Sequence, residues 1–198
     1  LRPARVSEII ESTLAKVQAT VDAAGFTVEK QIESDLPPVR VDEAALSQCL
    51  ENLIGNALKY GGEKRWMGIR AASIPAKRGR EVQLTVEDRG MGIAPADLPH
   101  IFEPFYRGAA ATTAQIHGSG LGLSIAQEDI TAMGGKISVK STPGAGSAFT
   151  IHLPALPQTE EDRAAEGSPS CARGEPKRMK TAARVCPGRR TGPGSNQT

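Results

Sequence analysis

The chain has 198 residues, enough for one domain of ordinary size but too few for two full ones. Hydrophobic residues make up 39% and charged residues 23%, values near the globular average, which exclude wholesale disorder and a fibrous repeat. The 24 basic and 22 acidic residues leave a formal charge of +2, so charge alone indicates neither a nucleic-acid partner nor an anionic membrane surface.

Helices are predicted where apolar residues recur at spacings of three and four beside a suitable boundary residue. Gly25 follows the first apolar stripe and is suited to ending a helix. Asp42 follows the Pro37-Pro38 break and is suited to capping the start of a second helix. The predicted helices are Arg5–Ala24, a helix from Asp42 to about Tyr60, a short helix after Pro95, and Ser119–Met133 closed by Gly134-Gly135.

Strands are predicted where polar and apolar residues alternate between turn signals. The basic loop 75–80 joins two of them as an antiparallel hairpin with a long turn, and the turn 143–146 joins the last two. Five strands and three main helices predict a two-layer α/β (α+β) sandwich with a mixed sheet. The predicted strands are Phe26–Ile32, Trp66–Ile74, Glu81–Glu87, Lys136–Ser141 and Ser147–Leu153.

The two ends of the chain carry different signals. Residues 157–198 combine charge, proline and glycine with almost no apolar periodicity, which predicts a disordered tail. The first residue is Leu1 instead of methionine, which indicates a piece of a longer protein. This piece has no signal-peptide pattern and no run of about 18 apolar residues, so it is expected to be soluble. Cys49, Cys171 and Cys186 lack the spacing of a disulfide framework or a zinc site.

Polar residues at spacings of four and three gather on one edge of the second predicted helix. Their amide oxygens are hard ligands suited to Mg²⁺ together with phosphates and water, and their ammonium group suits phosphate charge. A polar flank of an amphipathic helix is the alternative interpretation. The residues are Asn52, Asn56, Lys59 and Tyr60.

Asp88 stands at the end of a predicted apolar strand and begins the segment Asp88–Ile93. A carboxylate in this place can accept a hydrogen bond from an exocyclic amine. Gly90 and Gly92 allow the backbone to approach a flat ring closely. Asp-x-Gly-x-Gly is also a common turn, so the sequence leaves both interpretations open.

A glycine-rich segment precedes the last predicted helix. Free N–H groups and the helix dipole at such an entry favour anions, phosphate among them. The segment is neither a good dinucleotide fingerprint, because no strand directly precedes it, nor a Walker A loop, because no lysine follows the glycines. A simple glycine-rich helix entry is the alternative. The residues are Gly118, Ser119, Gly120, Leu121 and Gly122.

These segments and Phe102–Arg107 follow one another in one order, and at this point the sequence resembles the catalytic ATP-binding domain of bacterial sensor histidine kinases, within the Bergerat-fold ATPase superfamily. The resemblance covers about residues 1–154. Four motifs carry it: the N box Asn52–Tyr60, the first glycine box Asp88–Gly92, the phenylalanine box Phe102–Phe105 and the second glycine box Gly118–Gly122.

The resemblance implies a role for each matching residue of the N box and the first glycine box. Asn56 is expected to bind Mg²⁺, with Asn52 lining the same site. Lys59 and Tyr60 are expected to contact phosphates and the ribose or ring. Asp88 is expected to read adenine, with Gly90, Gly92 and the adjoining Ile93 shaping the purine pocket.

For the lid and the second glycine box, the resemblance implies phosphate contacts. Arg107 is a candidate phosphate ligand from the lid, and the backbone of Gly118–Gly122, which includes Ser119, would wrap the phosphates. Phe102 and Phe105 are expected to pack the lid instead of touching the ligand. The implied cofactors are ATP and Mg²⁺, and phosphoryl transfer depends mostly on such positioning and charge neutralisation.

One position favours kinases over the ATP hydrolases of the superfamily. Gyrase and Hsp90 relatives carry a glutamate one helical turn before the Mg²⁺-binding asparagine, and here that place is Asn52. Glu51 points about 100° away from Asn52 around the helix. It is a second-rank candidate for a base, with a structural or surface carboxylate as the alternative.

The sequence also departs from the family pattern. Asp129 falls where the last helix usually has an apolar residue, so that helix is expected to pack differently or pair the charge locally. The lid, 108–115, lacks the extra cation often found there. His100, His117 and His152 do not sit in a phosphoacceptor setting and are expected to be structural or lid-lining.

The domains predicted from the resemblance are a segment 1–24 that follows a missing dimerisation and phosphoacceptor domain, an ATP-binding domain 25–156, and the tail 157–198. The chain is then expected to transfer the γ-phosphoryl of ATP to a histidine on that missing domain. A response regulator would be the next partner, with no nucleic acid involved. The expected location is cytoplasmic, in a parent protein that can be anchored in the inner membrane. The alternatives are an anti-sigma-factor-type serine kinase and an ATP-sensing pseudokinase.

Overall fold

The structure, a computed structural model, describes residues 1–77, 79–108, 112–113 and 118–157. Three helices, each with an apolar face, and seven strands make up the main elements of the described residues. The helices are α1 (Val6–Ala23), α2 (Glu43–Tyr60) and α3 (Gly122–Ala132). The strands are β1 (Arg2–Ala4), β2 (Thr27–Ile32), β3 (Val39–Val41), β4 (Trp66–Pro75), β5 (Arg80–Asp88), β6 (Lys136–Thr142) and β7 (Gly146–Pro154).

A five-stranded mixed sheet has the strand order β2-β4-β5-β7-β6. Strand β2 pairs with β4 in parallel, and the other pairs are antiparallel. The five predicted strands and both predicted hairpins, β4–β5 and β6–β7, are confirmed. The turn of the second hairpin closes with Ala145 N donating to Thr142 O at 3.0 Å.

Alternation along each strand separates the two faces of the sheet. In β5, Val82, Leu84 and Val86 are buried, while the residues between them are partly exposed. The buried set packs against the apolar faces of α1, α2 and α3 in one hydrophobic core. The two-layer α/β sandwich predicted from the sequence is therefore confirmed.

The boundaries of α1 and α2 follow from their end residues. Asp42 Oδ1 accepts from the backbone N–H groups of Ala44 and Ala45 at 3.0 and 3.1 Å, which satisfies two free donors at the start of α2. At the end of α1, Gly25 adopts a φ of +68°, and the next residue, Phe26, donates to Val21 O. This left-handed closure favours glycine.

The prediction of a short helix after Pro95 is wrong. The segment forms successive turns, in which Asp97 N donates to Ala94 O and His100 N donates to Asp97 O, each at 2.9 Å. Pro99 has no N–H to donate back to residue 95, so an α-helix cannot propagate through it. The last predicted helix also begins later than expected, at Gly122 instead of Ser119.

A second, two-stranded sheet was not predicted. Strands β1 and β3 pair antiparallel, from Arg2 opposite Val41 to Ala4 opposite Val39. Val39 also forms a bridge with Ala155, directly after β7. Three-residue strands beside prolines carry too little alternation to be recognised in a sequence.

Residues 158–198, which make up nearly all of the predicted tail, lie outside the described part of the chain, as do Cys171 and Cys186. Within the described ranges, no helix has the length and apolar character needed to cross a membrane.

Candidate nucleotide site

An open cavity of about 520 Å³ lies beside α2, between the segment after β5, the turns before residue 108 and the entry to α3. The N box and the two glycine boxes line it, and the phenylalanine box is represented by its neighbours Ile101 and Tyr106. Of the predicted site residues, Gly90 and Leu121 are the ones that do not line this cavity. Those that do are Glu51, Asn52, Asn56, Lys59, Tyr60, Asp88, Gly92, Ile93, Arg107, Gly118, Ser119, Gly120 and Gly122.

The polar edge of α2 forms one wall of the cavity. Asn52, Asn56 and Lys59 follow one another by one helical turn, so their side chains line the same side. Asn52 Nδ2 donates to Gly122 O at 3.3 Å, which links α2 to the first residue of α3. This bond commits the amide nitrogen of Asn52 and leaves its Oδ1 as the acceptor toward the cavity.

Glu51 lines the cavity beside a polar cluster between α1 and α2. Its Oε1 lies 3.6 Å from Lys16 Nζ and 3.4 Å from Ser47 Oγ. Ser47 Oγ in turn contacts Lys16 Nζ at 3.0 Å and the fully buried Thr13 Oγ1 at 2.8 Å. These partners hold the Glu51 carboxylate toward α1, an arrangement that favours the structural interpretation of Glu51 over a general base.

Asp88 ends β5 at the floor of the cavity and is 6% exposed. Its Oδ1 accepts from Gly90 N at 2.8 Å. Burial raises the pKa of the Asp88 carboxyl, while the N–H groups of Gly90 and Ser147 lower it and the charge of Glu87 raises it. A buried carboxylate held in this way presents its remaining oxygen capacity to a donor entering the cavity.

Gly90 and Gly92 are required by protein backbone. A Cβ at Gly90 would overlap Tyr60 O, the carbonyl that accepts from Met91 N at 3.0 Å. Gly92 has a φ of +66°, and a Cβ there would overlap Thr142 O. The expected approach of a flat ring is therefore not what fixes glycine at these positions; close packing of the Asp88 turn between α2 and the β6–β7 turn does.

The second glycine box packs against the phenylalanine box. Phe105 N donates to Gly120 O at 3.0 Å, and a Cβ at Gly120, where φ is +74°, would lie 2.8 Å from Phe105 Cα. Ser119 Oγ accepts from Leu121 N at 3.3 Å, which orients the helix entry without placing Leu121 in the cavity. The segment thus presents backbone instead of side chains.

The two phenylalanines of the phenylalanine box differ. Neither lines the cavity, as expected. Phe102 packs against the core, whereas Phe105 is 72% exposed at a φ of +64°. The expectation that Phe105 packs the lid stays a prediction, because most of the lid lies outside the described residues. Of the predicted lid, 108–115, residues 109–111, 114 and 115 lie outside the described residues.

The described histidines stand away from the cavity. His100 is exposed, with Nδ1 2.8 Å from Glu103 Oε1. His152 lies on the outer face of the sheet, with Nδ1 2.9 Å from Glu81 Oε1 and Nε2 2.8 Å from Ser138 Oγ. His117 lies outside the described residues. For His100 and His152 these contacts fit the structural role predicted from the sequence.

Asp129 contacts a thiol. It is half-buried, and Cys49 Sγ donates to its Oδ2 at 3.9 Å and to Ala126 O at 3.8 Å. Burial, together with the charge and hydrogen bond of Asp129, raises the pKa of the Cys49 thiol to about 12. The charge of Asp129 is accommodated locally, one of the two outcomes expected from the sequence.

Sequence reasoning missed several cavity residues. Asp97 and Tyr106 come from the turns after β5, and Ser147 and Phe149 come from β7. Asp97 and Tyr106 carried a usable signal, because an acid and a phenol flank the phenylalanine box. Ser147 reaches the site only through sheet pairing, which a single sequence does not display.

The donor set fits a metal held mainly by a ligand. Among the described residues, no group of three or more His, Cys, Asp or Glu side chains could hold a metal ion by itself. Asn56 and Asn52 offer amide oxygens at the cavity wall. Mg²⁺ typically takes one or two protein oxygens and completes its shell with phosphates and water.

Residues 41–157 match the family described as histidine kinase-, DNA gyrase B- and HSP90-like ATPases. The match extends over more than half of the chain and includes all four sequence motifs. The chain belongs to this family. The matched region contains α2, the segment after β5 and the entry to α3, which border the cavity.

The similar proteins include sensor histidine kinases. The chain is 38% identical over 152 residues to the signal transduction histidine-protein kinase AfsQ2 of Streptomyces coelicolor, covering 77% of this chain and 26% of that protein. The mycobacterial sensor histidine kinase MprB superposes with a TM-score of 0.62 at 26% identity, covering 79% of this chain and 99% of that one. Full-length ShkA in complex with AMPPNP superposes with a TM-score of 0.64 at 28% identity, covering 78% of this chain and 31% of ShkA. The chain thus spans about a quarter of the length of AfsQ2.

Proposed function

We propose that this chain is the ATP-binding catalytic domain of a sensor histidine kinase, which transfers the γ-phosphoryl group of ATP to a histidine on a separate dimerisation domain. The observation that carries the proposal is one cavity lined by the Asn52–Lys59 edge, the buried Asp88 and the backbone of the second glycine box. The kinase similarity of AfsQ2 and MprB and the AMPPNP complex of ShkA support it.

In this proposal the two ends of the nucleotide meet different chemistry. The ionised Asp88 accepts a hydrogen bond from the exocyclic amine of adenine, and the carbonyl of guanine offers no such donor at that place. The N–H groups of Gly118–Gly122 and the charges of Lys59 and Arg107 hold the phosphates.

Asn56, with Asn52 beside it, would hold Mg²⁺ through amide oxygen. When bound, the ion neutralises charge on the phosphates and fixes their orientation. Because Asn52 occupies the place where hydrolases of the superfamily carry a water-activating glutamate, no carboxylate is set to activate water from that position. The transfer breaks the bond between the γ-phosphorus and its bridging oxygen, releases ADP and forms a phosphorus–nitrogen bond to the acceptor histidine.

The partners proposed from these relatives are the histidine-bearing dimerisation domain and a response regulator, with no nucleic acid. Residues 25–156 are proposed to be the catalytic domain, with 1–24 following the dimerisation domain and 157–198 a tail. The proposed location is the cytoplasmic side of a parent protein that can be membrane-anchored.

The first experiment is calorimetric titration with ATP and GTP, with and without Mg²⁺, on the wild type, Asp88→Asn and Glu87→Gln. Asp88→Asn is expected to weaken ATP binding by about 10- to 150-fold, because the amide replaces one acceptor oxygen with a donor while Gly90 N and Ser147 N still need acceptors. Glu87→Gln is the matched control, because Glu87 points to the outer face and pairs with Arg70 at 2.8 Å. A folded wild-type sample that binds no ATP refutes the proposal.

The second experiment adds the cognate dimerisation domain. Acid-labile phosphohistidine on that domain is the expected product. Acid-stable phosphoserine on an antagonist protein would instead indicate a serine kinase, and nucleotide binding without any transfer would indicate a nucleotide-sensing module.

A further inference from the structure

The segment at the start of the predicted lid, Tyr106–Gly108, lies against the carboxylate of Asp97, a residue that was not predicted from the sequence to belong to the site. Tyr106 Oη donates to Asp97 Oδ1 at 2.8 Å, and both residues line the cavity. Between them the chain runs through hydrogen-bonded turns, which end with Tyr106 N donating to Glu103 O at 3.2 Å. The side-chain bond closes this series of turns into a ring.

The same carboxylate also abuts the other side of Arg107. A Cβ added at Gly108 would lie 2.7 Å from Asp97 Oδ2, so the second carboxylate oxygen occupies the side of Gly108 where a side chain would project. Asp97 therefore contacts the residues on both sides of Arg107, one by a hydrogen bond and one by close packing. The backbone from which the Arg107 side chain leaves is fixed in two places.

This pinning matters because the cavity has few cations. Among the described residues that line it, the cations are Lys59 on α2 and Arg107 at the lid base. Lys59 leaves from a helix, which holds its backbone rigidly. Arg107 leaves from a segment of turns, and an arginine side chain loses much rotamer freedom when it binds an anion.

We infer that Asp97 is a positioning residue that acts through Tyr106 and Gly108 to aim the Arg107 guanidinium at the phosphates of the bound nucleotide. The inference rests on the proposed function, because it requires a polyphosphate ligand in the cavity. The hydrogen bond to Asp97 and the desolvation of the phenol raise the pKa of Tyr106, which agrees with its hydroxyl as the donor to Asp97.

The test compares variants that change the Tyr106–Asp97 bond, of which Asp97→Ala also removes the oxygen beside Gly108. Tyr106→Phe removes the hydroxyl and keeps the ring. Asp97→Asn keeps an oxygen acceptor for Tyr106, and Asp97→Ala removes it. Each variant is titrated with the ATP analogue AMPPNP plus Mg²⁺ by calorimetry and with adenosine by NMR, and its melting temperature is recorded as a check on folding.

Tyr106→Phe and Asp97→Ala are expected to weaken AMPPNP binding about threefold to tenfold, the loss typical of one hydrogen bond, and to leave adenosine binding unchanged. Asp97→Asn is expected to stay within about twofold of the wild type, since its oxygen still accepts from Tyr106. In an Arg107→Ala background, Tyr106→Phe is expected to have no further effect on AMPPNP affinity.

Two results would overturn the inference while leaving the proposed function intact. One is an equal loss of adenosine and AMPPNP affinity in Tyr106→Phe, which would indicate general damage to the site. The other is a full additional loss when Tyr106→Phe is combined with Arg107→Ala. A wild-type chain that binds neither ligand would overturn the proposed function itself.

Discussion

Two glycine-to-alanine changes, one in the turn after Asp88 and one on the cavity side of α2, are expected to shift stability in opposite directions. Gly90 is buried, and a Cβ there would overlap Tyr60 O and lie 2.5 Å from Gly61 Cα. Gly55 is inside α2 and lines the cavity, and a Cβ there would meet nothing within 4 Å. The neighbours of Gly90 are backbone atoms, which cannot rotate away as a side chain can.

The magnitudes follow from these contacts. Inserting a methyl group against a packed backbone costs about 1–3 kcal/mol. Separating Met91 N from Tyr60 O, now 3.0 Å apart, adds about 0.5–1.5 kcal/mol. Gly90→Ala is therefore expected to lower the free energy of unfolding by about 2–4 kcal/mol. Gly55→Ala is expected to raise it by about 0.5–1 kcal/mol, because alanine loses less backbone entropy in a helix.

Thermal unfolding followed by circular dichroism measures both effects. At about 2–4 °C per kcal/mol for a domain of this size, Gly90→Ala should melt about 4–16 °C lower than the wild type and Gly55→Ala about 1–4 °C higher. A melting temperature of Gly90→Ala within about 1 °C of the wild type would refute the reasoning, because the turn after β5 would then have room that the structure denies it.

Three further outcomes follow from buried polar groups. Because the pKa of Asp88 is raised, ATP affinity should begin to fall on acidification at a pH above the usual aspartate value of about 3.9. The contribution of Asp88 to stability is present below its unfolded pKa and is lost as pH rises through its folded pKa. ATP binding and urea unfolding measured over a pH series check both signs, and both pH dependences should be absent in Asp88→Asn. Cys49 is buried and has a pKa of about 12, so it should not react with iodoacetamide at neutral pH until the protein is unfolded. Mass spectrometry of a chain with Cys171 and Cys186 changed to serine measures this reaction. Ser47→Ala should cost about 1–3 kcal/mol by leaving the Thr13 hydroxyl buried without its partner, and adding Thr13→Val should recover part of the loss in urea unfolding.

The sequence predicted the fold where a pattern is local and strong. Helix α2 shows its cap, Asp42, and its apolar stripe within the segment itself, and the β4–β5 and β6–β7 hairpins are close in sequence. The β1–β3 pairing was not predicted, because three-residue strands that are separated by a helix are neither long enough nor close enough in sequence to show a pattern. The segment after Pro95 had a helical start signal, and Pro99 cancelled it.

The site was predicted as far as its motifs reach. Lys59 and Asp88 were found because their spacing and position carry chemistry, and both line the cavity. The physical reason for Gly90 was not predictable, because the carbonyl of Tyr60 that excludes a side chain comes from another element. Asp97 was missed although an acid before the phenylalanine box is visible in the sequence, because its contact with Tyr106 exists only in the folded turns.

The small β1–β3 sheet is joined to one of the strands that line the cavity. Ser147 lines the cavity at the start of β7, whereas Ala155, just past its other end, is fastened to Val39 beside β1. The strand between them spans about 26 Å. Strand β7 therefore connects two cavity residues, Ser147 and Phe149, with the bridge to β3 and, through the β1–β3 pairing, with Arg2–Ala4.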